Sequence, residues 1–369
     1  MKKLKVGLIF GGRSGEHEVS LLSARAVLNA LNRDKYEVTE IGITHDGTWL
    51  IGENILDAFV QGKMEPLIPV TLLPDPTRRG LFAIQTLPDG EILVPSQQFD
   101  VFFPIVHGTF GEDGTLQGLL ELANVAYVGP GVLGAAVGMD KGVFKAVMQA
   151  YDIPVAAGVM LSRTEIDTDM DAALDRVEAE LPYPLFVKPA NMGSSVGVSK
   201  CQSRADLLEG LLEAGRFDRR ILVEQGINAR EIEISVLGND QPEASVPGEI
   251  RPVTEFYSYD AKYHDDRSEA FIPADIPAET AAAMQAIAIK AYLAIDCAGL
   301  ARVDFLLDKE NGEFYLNELN TIPGFTEISM YPKLWEASGL SFPNLVDRLI
   351  ALALERRAER DNIEWRFER

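Results

Sequence analysis

The chain has 369 residues, enough to bury two or three separate cores, and its 47% hydrophobic and 24% charged residues are the composition of a globular protein. A net charge of −22 argues against a general nucleic-acid binder, which needs a basic surface. No stretch approaches the roughly eighteen consecutive apolar residues of a membrane-spanning helix, and two cysteines, Cys201 and Cys297, are too few for a disulfide framework and fit a reducing cytoplasm.

The opening MKKLKVGLIFGG places lysines before an apolar run, as a signal peptide does. That run extends only from Val6 to Phe10 before Gly11-Gly12-Arg13, so it predicts a first β-strand over Leu4–Phe10. Residues 18–31 follow with Val19, Leu22, Ala26 and Ala30 on one helical face. Tyr36–Thr44 alternates and is β-branched, and Asp46–Gln98 is proline-rich with weak periodicity, which predicts irregular or short strands. Phe99–Val106 reads as another apolar strand, followed by a glycine-rich turn and a helix over Thr115–Ala123. This βαβ rhythm implies an open parallel sheet with its site at the strand ends.

A second unit begins near Gly129-Pro130-Gly131. Helical segments cover Val132–Ala150, a strand Leu185–Lys188 is stopped by Pro189, a helix includes Leu207–Leu212, and Ile221–Glu224 is a strand. The remainder predicts strands at Glu231–Leu237, Leu300–Leu307 and Glu313–Leu316, and helices at Ala278–Ile295 and Ser341–Arg357. Between them Glu249–Phe271 is polar, tyrosine-rich and aperiodic, and a loop that long inside a domain is more often functional than idle.

The densest chemistry lies in LARVDFLL and NELN. Strand alternation puts Arg302, Asp304 and Leu306 on one face, and Glu318 with Asn320 on one face of the next strand. Paired, the two strands present oxygen ligands together, which suits Mg²⁺ with water and phosphate filling its other positions. The bland alternative is an exposed strand face with an ion pair to Arg302. Carboxylates gathered in apolar strands favour the metal.

Phe186–Pro189 and Asn191–Gly197 place Lys188 at a strand end before a small glycine-flanked loop, a source of one cation and several backbone N–H groups for phosphate. A plain surface hairpin reads the same way, and the spacing is that of neither common phosphate-loop motif. Lys141 is a further phosphate candidate, although helical lysines are usually solvated. Glu224 and Glu231 suit a nucleotide's ribose or base, or are surface carboxylates. The first loop, Gly11–Ser20, has an anion site's glycines, but Glu16 and Glu18 would repel phosphate and suit a substrate ammonium. Four histidines, His17, His45, His107 and His264, make no zinc-type pair, and no G-x-S-x-G elbow is present.

Taken together, GGRSGEHEVSL, HGTFGEDGTLQGLLE, MDK, FVKPANMGSSVGVSK, YSYDAKY, LARVDF and NELNTIPGFTEISMYP occur in an order that resembles the D-alanine–D-alanine ligases of the ATP-grasp superfamily, over essentially the whole chain. The resemblance implies an α/β (α+β) three-domain ATP-grasp fold. Residues 1–129 would form an N-terminal α/β substrate domain with an open parallel sheet, and residues 130–224 a central ATP-grasp domain. Residues 225–369 would form a C-terminal ATP-grasp domain with the metal site and a mobile loop over 249–271.

It further implies that Lys141 and Lys188 contact ATP phosphates, that Glu224 and Glu231 contact the adenosine, and that Asp304, Glu318 and Asn320 hold Mg²⁺, commonly two ions, with Mn²⁺ a substitute. Glu16, linked with Ser194 and Tyr263, would take the ammonium of the first D-alanine, and His107 would lie nearby. Arg302 and the Gly324 backbone N–H would stabilise an oxyanion, while Lys262 and Ser329 would hold the second carboxylate. A cytoplasmic homodimer serving peptidoglycan synthesis is implied as well. Gly226 and Asn317 stand where some relatives have bulky apolar residues, which leaves Phe256 as the one candidate for adenine stacking. Tyr263, where some relatives making D-alanyl-D-lactate have phenylalanine, favours an amine as second substrate, and a D-alanine–D-lactate or D-alanine–D-serine ligase is the alternative. A non-catalytic nucleotide-binding regulator of the same fold is the remote alternative, and an intact Arg302 speaks against it.

Overall fold

The computed structural model describes residues 2–64, 66–251 and 269–364. Strand β1 (Leu4–Gly11) lies between β2 (Tyr36–Ile43) and β7 (Val101–Pro104), parallel to both, with Val6 opposite Val38 and Val101. Val6, Leu8 and Phe10 face one core and Ile9 the other, which explains the unbroken apolar run. Helix His17–Ala30 covers the first face and helix Thr115–Leu122 the second. Leu22 departs from the expected helical face: it is 61% exposed, while Leu21 and Ala24 enter the core.

The parallel trio is extended by antiparallel strands β3 (Trp49–Ile51), β4 (Ile68–Leu72), β5 (Leu81–Leu87) and β6 (Gly90–Gln97), so the sheet is parallel only around β1. The proline-rich stretch therefore holds a hairpin, turned at Pro88-Asp89, where Leu87 pairs with Gly90, with one register shift between Leu81 and Phe82. Much of that hairpin is exposed on both faces, so no apolar alternation marks it.

The second sheet, in the order β10 (Ser199–Cys201), β9 (Leu185–Pro189), β11 (Arg220–Gln225), β8 (Gly158–Ser162), is antiparallel. Leu185, Val187, Ile221 and Val223 pack beneath helices Met170–Glu180 and Arg204–Phe217. Alternation then turns Phe186, Lys188, Leu222 and Glu224 to the opposite face.

The third sheet runs β15 (Glu269–Phe271), β14 (Gly248–Arg251), β12 (Ala229–Gly238), β16 (Gly299–Asp308), β17 (Phe314–Asn320), with β13 (Glu243–Ala244) on β12. Its buried face carries Ile232, Ile234, Val303 and Phe305 against Met284, Ala288 and Tyr292 of helix Ala278–Ala294. Phe144, Met148 and Ile153 join this same core. Residues 132–155, expected in the central unit, thus pack on the C-terminal sheet, and Gly134 and Gly138 allow the close approach to Cys297 and Thr321.

The C-terminal helix Phe342–Asp361 returns to the first core through Leu345, Leu349 and Ile350. Arg356 stacks over Tyr127 at 4.4 Å, and Arg357 Nη1 donates to Asn124 Oδ1 at 2.6 Å, tying the C-terminal helix to the N-terminal unit. Among the described residues no helix is long and apolar enough to cross a membrane.

Candidate active site

Strands β16 and β17 pair with Asp304 opposite Glu318 and Arg302 opposite Asn320. The register shifts after Asp304, where Phe305 pairs with Leu316, so Asn317 is the extra residue of a β-bulge. Without that bulge Glu318 and Asn320 would fall out of step with Asp304. Asn320 Nδ2 donates to Asp304 Oδ2 at 3.0 Å. Arg302 grips the same carboxylate with two hydrogen bonds of 2.7 Å, and its Nε lies 3.1 Å from Glu233 Oε2 on β12. Burial pulls the Arg302 guanidinium down, but Asp304 and Glu233 outweigh it and hold it well above its ordinary range. Among the described residues no three His, Cys, Asp or Glu side chains converge as metal ligands. The expected magnesium set is two carboxylates and one amide, an oxygen donor set that fits Mg²⁺ with phosphate and water completing it. A cation held there would share Asp304 with Arg302.

Across the cleft Glu224 forms ion pairs with both Lys188 and Lys145. Burial alone would push its carboxyl up, yet the two ammoniums bring it down to about 2. Lys188 answers in kind: burial lowers it, while Glu224 first, and then Glu318 and Glu231, raise it. The charges of the second and third sheets therefore reach one another across this gap. Lys141, singled out in the sequence, donates from Nζ to the Met192 carbonyl at 2.7 Å, at the base of the glycine–serine loop. Lys145, one helical turn further on, is the lysine brought to Lys188. Helical i, i+4 spacing within KGVFK was the available signal for it, as alternation in REIEIS was for Glu233 beside Glu231.

Glu16, from the N-terminal unit, sits against the loop of the second. A Cβ placed on Gly193 would stand 2.4 Å from Glu16 Oε1, and one on Gly108 3.3 Å from it. Ser194 and Ser195 both have positive φ, 50° and 59°, an unfavourable backbone that turns the loop sharply. Glu16 and the Ser194 loop are thus brought together. Tyr263 and Lys262, along with Phe256, lie outside the described residues. At the described ends of the aperiodic segment Glu249 of β14 pairs with Phe271 of β15, and Arg230 holds the Glu249 carboxylate through two bonds of 2.8 Å.

His107 is buried between the two ends of the site, with Nδ1 2.9 Å from the Ile322 carbonyl and Nε2 2.9 Å from Ser23 Oγ. Burial favours its neutral form, against the opposing charge of Glu16. Glu112, not singled out in the sequence, accepts from Gly108 N–H at 2.6 Å and Ile322 N–H at 3.0 Å. Burial first and the Glu16 charge second push its carboxyl up to about 8. Gly324 lies beside Ser329, whose Oγ would be 3.1 Å from a Cβ added there. Ser329 precedes helix Met330–Ala337, so the positive end of that helix faces the same corner.

Two facing sheets, one bearing buried lysines and the other a carboxylate–arginine array, define an ATP-grasp ligase. Family profiles described as D-ala D-ala ligase N-terminus and C-terminus match residues 5–130 and 147–351. The D-alanine–D-alanine ligases of Heliobacterium modesticaldum and Acetivibrio thermocellus are 52% and 48% identical, over 98% and 96% of this chain and 97% and 96% of theirs. The solved D-alanine–D-alanine ligase of Coxiella burnetii is 37% identical with a TM-score of 0.83, covering 98% of this chain and 97% of its own. The D-Ala:D-Ser ligase VanG of Enterococcus faecalis is 36% identical with a TM-score of 0.85, covering 95% and 100%. The chain belongs to the D-alanine–D-alanine ligase family.

Proposed function

We propose that this cleft joins two molecules of D-alanine into D-alanyl-D-alanine, with conversion of ATP to ADP and phosphate, for peptidoglycan synthesis. The observation that carries the reading is the meeting of Glu224 and its two lysines with the Arg302–Asp304–Glu318–Asn320 array across one gap. The first carboxylate forms a bond to the γ-phosphorus as the bond to ADP breaks, giving an acyl phosphate. The second amine then attacks the acyl carbon, and phosphate leaves from the tetrahedral intermediate as the amine gives up its proton.

Lys141 and Lys188 bind phosphate oxygens, with Lys145 sharing Glu224 beside Lys188, and Glu224 and Glu231 line the nucleoside side. Glu16, with Ser194 and Tyr263, receives the first ammonium beside His107. Arg302 and the Gly324 N–H face the developing oxyanion, and Lys262 and Ser329 take the second carboxylate. Asp304, Glu318 and Asn320 are the residues that would hold Mg²⁺, which supplies charge neutralisation of the phosphates. These groups act by position and charge, which is what phosphoryl transfer requires. An acyl phosphate hydrolyses in water, so a closing 249–271 loop would protect it. Incubation with ATP, Mg²⁺ and D-alanine should yield ADP, phosphate and the dipeptide by mass spectrometry. Phosphate release no greater than with ATP alone would reject the ligase.

The likeness to a D-Ala:D-Ser ligase keeps a second reading in view, in which D-serine or D-lactate is the nucleophile. Competing D-alanine against both in one assay decides between them. If Tyr263 is the selector, Tyr263→Phe raises depsipeptide relative to dipeptide. Cytoplasmic location and a homodimer complete the proposal. Light scattering of the purified chain tests the latter.

A further inference from the structure

The segment Ile322–Phe325 follows the carboxylate strand β17 and carries Gly324. It is anchored by groups from the N-terminal unit, roughly two hundred to three hundred residues earlier in sequence. Ile322 N–H donates to Glu112 Oε1 at 3.0 Å, and the Ile322 carbonyl lies 2.9 Å from His107 Nδ1. Phe325 N–H donates to Ser23 Oγ at 3.2 Å, and Ser23 Oγ lies 2.9 Å from His107 Nε2.

The proton arrangement is determined by these partners. The Ile322 carbonyl can only accept, so a neutral His107 carries its proton on Nδ1. Nε2 then accepts from the Ser23 hydroxyl, leaving Ser23 Oγ free to accept from Phe325 N–H. Every member has a partner of the right kind, and the Ile322–Pro323 and Gly324–Phe325 peptides are held, one on each side of the Pro323–Gly324 peptide that carries the donor N–H. Glu112 closes the frame. Its second oxygen accepts from Gly108 N–H at 2.6 Å, and Gly108 packs against Glu16. One half-buried carboxyl group thus joins the loop beneath the ammonium site to the loop that carries the oxyanion donor.

We propose that Glu112 is a positioning residue for the second half-reaction, holding Ile322–Phe325 so that the Gly324 N–H meets the oxyanion. The proposal rests on the ligase reading above. Displacing the donor slows attack by the amine while leaving formation of the acyl phosphate intact. The stranded acyl phosphate is then hydrolysed: water supplies the oxygen that restores the D-alanine carboxylate, and phosphate departs without a dipeptide being made.

The test measures phosphate and dipeptide together in the full-length protein and in Glu112→Gln, Glu112→Asp and Ser23→Ala, with ATP, Mg²⁺ and D-alanine saturating. Gln keeps one acceptor but sets an N–H₂ against the other N–H, Asp shortens the bridge, and Ser23→Ala breaks the far anchor. The expected result is one phosphate per dipeptide in the native protein. In the variants dipeptide turnover should fall roughly 10- to 100-fold, with KM for ATP unchanged and clearly more than one phosphate released per dipeptide. A variant that is merely less folded loses both products in step, and an unchanged ratio in all three would overturn the proposal. Absence of dipeptide from the native protein would instead remove the ligase reading, and this proposal with it.

Discussion

Replacing Glu224 by glutamine should destabilise the protein strongly at neutral pH and make it more dependent on ATP. Glu224 is 3% exposed and paired with Lys145 and Lys188, so the variant leaves two buried ammoniums facing a neutral amide. Depression of its carboxyl from 4.5 to about 2 corresponds to about 3 kcal/mol. Breaking a buried ion pair by removing one partner costs a similar amount, roughly 3–5 kcal/mol. For a unit of this size the melting temperature should fall on the order of 10 °C.

Two further readings test the cause of that loss. The folded pKa lies below the unfolded one, so this stabilisation is complete above about 4.5 and is lost as pH falls toward about 2. The gap between native and variant should therefore narrow on acidification. ATP should recover more of the melting temperature in the variant than in the native protein, because its phosphates supply the missing negative charge. Thermal unfolding from pH 7 to pH 3, with and without ATP, measures both. A variant with native stability at pH 7 would show that the three side chains are not a buried ionised cluster.

Arg302→Ala should lower turnover by roughly 2–4 kcal/mol of barrier, the cost of an oxyanion donor, with a smaller change in KM for ATP in steady-state kinetics. Gly193→Ala places a methyl 2.4 Å from Glu16 Oε1. It should reduce kcat/KM for D-alanine roughly 10-fold or more, on the scale of a misplaced positioning group, while ATP protection in a melting assay persists. Glu112 titrates at about 8 in the fold against an ordinary 4.5, so the folded state favours its neutral form. Stability is therefore lost as pH rises from about 4.5 to about 8. Melting curves of Glu112→Gln against native should shift in favour of glutamine across that window and run parallel above it. A constant difference would mean that Glu112 keeps its ordinary carboxylate pKa in the fold.

The local rules that carried the sequence reading were periodicity and punctuation. Alternation in LARVDFLL put Arg302 and Asp304 on one face, and in the fold Val303 and Phe305 fill the core behind them. The apolar runs of β1, β9 and β11, the stop at Pro189, and the long helices at 278 and 342 were legible for the same reason: each buries one face or two against a single core.

What needed the tertiary structure was every choice between residues that periodicity treats alike. Lys141 and Lys145 share a helix face, but Lys145 meets Glu224 while Lys141 donates to the Met192 carbonyl. Leu22 fits the apolar stripe as well as Leu21 does, yet it is Leu21 that finds the sheet. The bulge at Asn317 sets Glu318 opposite Asp304, and nothing in NELN announces it. Helix 132–139 follows the central unit's glycines in sequence but packs toward the C-terminal sheet, because Gly134 and Gly138 let it approach there, and helix 141–150 sends Phe144 and Met148 into the same core. Glu112 reads as a turn carboxylate until Ile322, 210 residues away, donates to it. Sequence neighbours determine which face a side chain takes, because backbone geometry is local. Which partner meets that face depends on contacts across the chain, and those exist only once the cores have closed.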